Sequence, residues 1–200
     1  MRNLLVLGTL AGLALAPQLA SASTWTTDPD HTEVGFSVRH MMISDVTGRF
    51  KTANATIQLD DKDATKSKVE VEVDVASIDT RNAKRDDHLR SADFFDAAKM
   101  PKMTFKSTSI KKAGKGFKVT GDLTIRGITK PVTLDVSTLT NTVKDPWGMN
   151  RRAAVATAKI SRKDFGLNWN KALETGGVLV GDEVTITIST ELIEKVDVKS

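Results

Sequence analysis

Apolar and polar positions alternate with period two through most of this chain. The alternation is most regular in KVEVEVDVAS, where Val69, Val71, Val73 and Val75 face one way and Glu70, Glu72 and Asp74 the other. Such a stretch is an extended strand with one wet face. FKVTGDLTIR repeats the pattern with Phe117, Val119, Leu123 and Ile125, and the interior Gly121 predicts a bend or bulge. A turn around Gly127 returns the chain as PVTLDVS, with Val132, Leu134 and Val136 in phase. Near the C-terminus EVTITISTEL sets Val184, Ile186, Ile188 and Leu192 against polar neighbours. Near the start, EVGFSVRHMM places Val34, Phe36 and Val38 on one face, and His40 shares their parity.

Weaker strands are expected over 50–59, 103–108 and 152–160; in the first, parity changes between Phe50 and Ile57 and predicts a bulge. That makes about eight strands joined by short connections rich in Gly, Asn, Asp and Pro, an all-β pattern that suits an antiparallel meander, barrel or sandwich. Residues 80–100 lack alternation and read as two short helices, capped by Thr80 and Ser91 and ended by Pro101. SRKDFGLNW reads as a single turn opened by Ser161 and closed by Gly166. Eight strands with one apolar face each can fill their interior or leave room for one small ligand, and periodicity does not choose. The in-phase residues make any such cavity apolar.

The first 22 residues, MRNLLVLGTLAGLALAPQLASA, have a basic start, a short apolar run and small residues at the end, as a cleavable export signal does. Cleavage is expected after Ala22, leaving residues 23–200 as one domain. No later stretch has the roughly 18 to 20 apolar residues of a spanning helix. Cysteine is absent, so disulfides, thiol chemistry, cysteine-zinc sites and a lipoprotein anchor are excluded. The net charge of +4 comes from 29 basic and 25 acidic residues, interleaved, with 5% aromatics. Nucleic-acid surfaces use segregated basic stripes with stacking rings, so no nucleic-acid partner is expected.

Chemistry-bearing residues are few. At the end of an apolar face, His40 is a histidine satisfied by a backbone carbonyl at a strand end, one turned outward by a bulge, or a polar contact for the head of a ligand whose tail lies deeper. In RDDHLR, Asp86 and Arg90 have the spacing of a surface ion pair on a helix, while Asp87 and His88 point about a hundred degrees apart. His31, His40 and His88 form no HxH or HxxxH pair, so no metal is expected. There is no GxSxG elbow and no glycine-rich phosphate loop, so neither catalytic residues nor a cofactor are assigned. Trp147 falls in the turn DPWG; Trp169, in LNWN, either packs in the core or lines a mouth.

The segments FSVRHMMISDVTGRF, SIDTRNAKRDDHLRSADFFDAAKMPKMTFKST, VTGDLTIRGITKPVTLDV, DPWG, RKDFGL and VGDEVTITI, in that order, resemble the YceI family of exported bacterial proteins. The resemblance runs from about Trp25 to Leu192. It implies a lipocalin-like antiparallel eight-stranded barrel with short helices, holding a long-chain isoprenoid or other amphiphilic lipid in its interior. It also implies a periplasmic location, an association with stress response and no established catalysis, and leaves a homodimer open. The inward-facing candidates for ligand contact are Phe36, Val38, Val71, Val73, Phe105, Val119, Leu123 and Ile125. Phe94, Phe95, Phe165 and Trp169 join them from the irregular segments, and His40, His88 and Arg90 are the candidates for the polar end. The competing functions are an enzyme acting on such a lipid and a ligand-free structural barrel.

Overall fold

The strands follow the alternation. In the computed structural model, which describes residues 22–174 and 176–195, the chain forms β1 (Ala22–His40), β2 (Ser44–Phe50), β3 (Ala53–Asp60), β4 (Lys68–Asp74) and β5 (Ile78–Asp79) before the single helix α1 (Ala83–Arg90). After it come β6 (Lys102–Ala113), β7 (Gly116–Ile125), β8 (Ile128–Leu139), β9 (Val143–Lys144), β10 (Asn150–Ser161) and β11 (Val180–Lys195). Neighbours run in the order β11-β10-β8-β7-β6-β4-β3-β1, all antiparallel, and β1 pairs back onto β11. The wall is therefore a closed, lipocalin-like barrel of eight strands, and closure removes the exposed edges that an open sheet would leave unpaired.

Two of the eight staves are broken at the same level. β2 and β3 pair with successive halves of β1, and β5 continues β4 alongside β2. The expected continuous strand over 50–59 is thus two strands, and its parity change is a break at Lys51 and Thr52 instead of a bulge. The break is stable because its backbone groups bond the matching break in the neighbour: Lys51 N–H donates to Ser77 O (3.1 Å) and Asp74 N–H to Thr52 O (2.9 Å).

A genuine irregularity lies in β1, whose pairing with β11 shifts between Thr27 and Thr32. Pro29 cannot donate to a ladder, so Asp28–His31 loops outward. Inward parity consequently changes from Trp25 and Thr27 to Thr32, Val34, Phe36 and Val38. At Gly121 the bulge is in the partner strand, between Ser107 and Ser109. A Cβ at 121 would stand 2.5 Å from Lys106 O, so glycine is needed for that close approach. Arg126 and Gly127 both have positive φ (50° and 73°), as the two-residue hairpin joining β7 to β8 requires.

Only one of the two helices expected over 80–100 forms. Asn82, not Thr80, caps α1, its side chain accepting from Arg85 N–H. Thr80 instead donates its hydroxyl to Asp86 Oδ1 (2.5 Å) and is buried under the helix. Ser91 ends α1 by donating to His88 O (2.7 Å), and beyond it Asp96 at φ 51° cannot continue a helix, so 91–100 is a series of turns. At the other irregular segment Gly166 (φ 72°) closes a 3-10 turn over Arg162–Phe165, but the Ser161 side chain makes no capping bond. The two ends of the barrel are now distinct. Trp25, Leu59 and Leu192 pack together at one, and α1 with Phe165, Leu167 and Trp169 covers the other.

Candidate functional site

The barrel interior is not filled. A chamber of about 140 Å³ lies at the Trp25 end and another of about 170 Å³ at the α1 end, and Val34, Val71, Leu134 and Ile188 belong to the walls of both. The chambers thus adjoin at a waist formed by these four side chains, and together they are the lumen of the barrel. Each is near the roughly 150 Å³ of an apolar cavity that stays dry and admits a benzene ring. Space is left because β3 and β10 present Ala53, Ala55, Ala154 and Ala156 to the interior, where other strands present Val, Leu, Ile or Phe. From Val180 to Leu192, both lining residues, β11 covers roughly 40 Å at about 3.3 Å per residue, or roughly 30 Å along the axis at a tilt of about 40°.

Most of the predicted apolar contacts meet in this lumen. Phe36, Val38, Val73, Phe94, Phe95, Phe105, Leu123 and Ile125 line the chamber at the α1 end, Val119 the other, and Val71 both. Phe165 is 1% exposed and packs in the surrounding core without reaching the lumen. Trp169 is half-buried against His88 (ring centroids 4.9 Å apart) and Phe94 (5.2 Å), forming an aromatic plug over that end.

The polar candidates are placed elsewhere. His40 sits half-buried at the end of β1 opposite Ser44 and Val180 and outside both linings. Between Val38 and His40 the register slips, because β11 uses four residues, Val184 to Val180, where β1 uses two. His88 packs edge-on against Phe94 and Trp169 above the chamber, with Nε2 3.0 Å from Asp93 Oδ2, and is not itself in the lining. Arg90 fastens α1 to the wall, donating from Nε to Ala76 O (2.9 Å) and from Nη2 to Ile78 O (3.0 Å). Its carboxylate partner is Asp87, not Asp86, because Asp86 is turned inward to take both the N–H and the hydroxyl of Thr80.

Two arginines that parity alone did not single out line the lumen. Arg162, 3% exposed, ends the chamber under α1 and gives all its N–H groups to the protein: Nε to Gly181 O, Nη1 to Leu167 O and Trp169 O, and Nη2 to Val180 O and Asp182 Oδ1. Burial pushes its guanidinium below the ordinary arginine value, with Asp182 opposing. Arg152 stands at the Trp25 end, its guanidinium 5.4 Å from the centre of the Trp25 ring and its Nε donating to Thr142 Oγ1 (2.9 Å). It shares inward parity with Ala154, Ala156 and Ile160, a signal visible in the sequence once β10 is placed.

Outside the same end, Arg151 faces the other way and gathers carboxylates. Nη1 reaches Asp28 Oδ2 (2.5 Å) and Glu191 Oε2 (3.1 Å), and Nε reaches Asp145 Oδ2 (2.8 Å). The Arg151 contact, with His31 Nδ1 3.0 Å away, pulls Asp28 down to about 2. Asp28 in turn raises His31 above its ordinary value, and Arg151 holds Asp145 low. Asp28, His31 and Glu191 have a spacing that a metal ion could span, but the Arg151 guanidinium occupies the same carboxylate oxygens. None of this cluster lines the lumen.

The YceI-like domain model matches residues 25–192. Protein YceI of Escherichia coli O17:K52:H18 is 39% identical over 189 residues, covering 94% of this chain and 95% of that one. The crystal structure of BcnA from Burkholderia cenocepacia superposes with a TM-score of 0.72 at 28% identity, over 82% of this chain and 98% of that chain. A polyisoprenoid binding domain from Saccharophagus degradans shares the fold at a TM-score of 0.61 and 15% identity, over 86% of this chain and 98% of its own.

Proposed function

The chain belongs to the YceI-like domain family, and on that footing we propose that it binds one long-chain amphiphilic lipid, an isoprenoid or fatty-chain derivative, in the barrel lumen. The observation that carries this reading is the pair of adjoining apolar chambers. About ten buried methylenes contribute about 8 kcal/mol. That corresponds to micromolar binding before the costs of association and chain ordering are subtracted. The likeness to a polyisoprenoid binding domain supports the same ligand class. Polar contacts then decide orientation and selectivity.

The proposed role is carriage or storage without chemistry. Its support is spatial, since the titratable cluster of Asp28, His31, Glu191 and Arg151 lies across the wall from the lumen, and His88 is turned to Asp93. The export signal expected over 1–22 lies, but for Ala22, outside the described residues. We place the working protein, residues 23–200, in the periplasm, and no helix among the described residues is long and apolar enough to cross a membrane.

Protein recovered from its native compartment, extracted into organic solvent and analysed by mass spectrometry, is expected to release a prenyl or fatty chain. Adding farnesol to delipidated protein should shift tryptophan emission to shorter wavelength. Empty extracts together with unchanged emission would remove the basis for a carrier.

A further inference from the structure

We propose that Arg152 is the head-group site: it takes an anionic, oxygen-rich head, a phosphate ester or a carboxylate, so the guest lies with its head at the Trp25 end and its tail under α1. This rests on the reading of the lumen as a lipid site.

The two lumen-lining arginines differ in what they have left to give. A guanidinium carries five N–H donors and no acceptor. At Arg162 all five are met by four backbone carbonyls and Asp182, so it is a bracket that ties residues 167–169 to 180–182 and has no donor for a ligand. At Arg152 only Nε is used, on Thr142. Among the described residues its four Nη hydrogens meet no protein acceptor and no carboxylate pairs with it. The obvious competitors, Asp28, Asp145 and Glu191, are all claimed by Arg151 on the opposite face of β10.

The unused fork is also held in place. The Trp25 ring under it and the Thr142 hydroxyl beside Nε fix the plane, which lowers the ordering cost of a two-point contact. Carboxylate and phosphate oxygens fit that geometry, with two parallel N–H···O bonds. Leu89, Phe94, Phe95 and Leu167 close the other chamber, whose buried cation, Arg162, has no donor left for a guest. A head at Arg152 and a tail at the phenylalanines match both ends at once.

The test uses farnesyl phosphate and farnesol, which share one tail, titrated into delipidated full-length protein by calorimetry. The wild type is expected to prefer the phosphate by about tenfold or more, the scale of a charge-assisted bidentate contact. In Arg152→Gln that preference should vanish, with affinity for farnesyl phosphate falling by about tenfold more than affinity for farnesol. Arg152→Lys keeps the charge but loses the fork, and should retain only part of it. An unchanged preference in Arg152→Gln overturns the assignment while leaving the lipid site intact; binding of neither compound by the wild type overturns the lipid site itself. Should Arg152→Gln fail to fold, the loss or retention of preference in Arg152→Lys decides. Orientation has a separate readout, a fatty acid brominated at its terminal carbon. It should quench Trp169 in W25F/W147F more than Trp25 in W147F/W169F, and the reverse order contradicts the proposal.

Discussion

The guanidinium of Arg152 lies over the indole of Trp25, 5.4 Å from the ring centre, where the lumen meets the N-terminal half of β1. Trp25 is 2% exposed, packs on Leu59 and Leu192, and donates from Nε1 to Ser23 Oγ (2.8 Å). The two residues therefore differ in what they contribute to stability. A partly exposed cation over a ring is worth about 0.5–1 kcal/mol, whereas truncating a buried tryptophan costs about 3–5 kcal/mol. Urea unfolding followed by circular dichroism should place Arg152→Gln within about 1 kcal/mol of the wild type and Trp25→Ala far below it. Equal losses would make Arg152 a structural plug and not a site.

The cluster around Arg151 makes stability depend on pH in two opposite senses. Asp28 is held at about 2, below its ordinary 3.8, so its contribution is present above about 4 and is lost as the pH falls through the folded value. His31 is raised above 6.5 by its bond to Asp28, so its contribution is full below 6.5 and is lost as the pH rises through its folded value. Between about 4 and about 6.5 both are present. An NMR titration should find the His31 midpoint above 6.5, and Asp28→Asn should draw it back toward the ordinary value and flatten the acid limb of the unfolding curve. A His31 midpoint unmoved by Asp28→Asn contradicts the pairing.

How far the sequence reveals this architecture differs from strand to strand. β4, β7, β8 and β11 keep one parity over long stretches, and their inward residues are legible by counting in twos. β1 is not, because the loop at Asp28–His31 reverses parity between Trp25 and Val34, and counting from either half misplaces the other. His40 shares the parity of Val38, but extra residues in β11 shift the register between them, which counting along β1 alone does not reveal. The vacancy of the lumen was illegible: Ala154 and Ala156 have apolar parity like valine, and only the facing walls reveal that their small side chains leave space. Arg162 looks like an exposed residue after a strand, since its carbonyl acceptors come from residues 5 to 19 positions away.

A second buried polar contact fixes the lid. Thr80 and Asp86, 2% and 6% exposed, are joined through both the N–H (2.9 Å) and hydroxyl (2.5 Å) of Thr80, and Arg85 adds bonds to Thr80 Oγ1 and O. Asp86→Ala removes the acceptor and strands two buried donors, at a cost of about 1–3 kcal/mol. Hydrogen exchange should accelerate through residues 80–100 more than in β7 or β8. Uniform acceleration would mean that α1 is no separate unit of the fold.

Ala156 offers the most direct control of the lumen itself. Its side chain is 6% exposed and lies between Val136 and Ile188, lining the chamber at the Trp25 end near the waist. Ala156→Phe directs a ring into a space of about 140 Å³. Overpacking costs typically about 1–3 kcal/mol when the ring must displace neighbours, and less here because the volume is vacant. A guest spanning the waist would lose about four methylenes of burial, about 3 kcal/mol, or roughly a hundredfold in Kd. A chain without an anionic head to hold it at Arg152, and short enough to fit the α1-end chamber alone, should bind nearly as before. Titrating wild type and variant with a series of n-alkanols of increasing chain length should therefore give curves that coincide for short chains and diverge for long ones. Parallel curves at every length would mean that the two chambers do not hold one continuous guest.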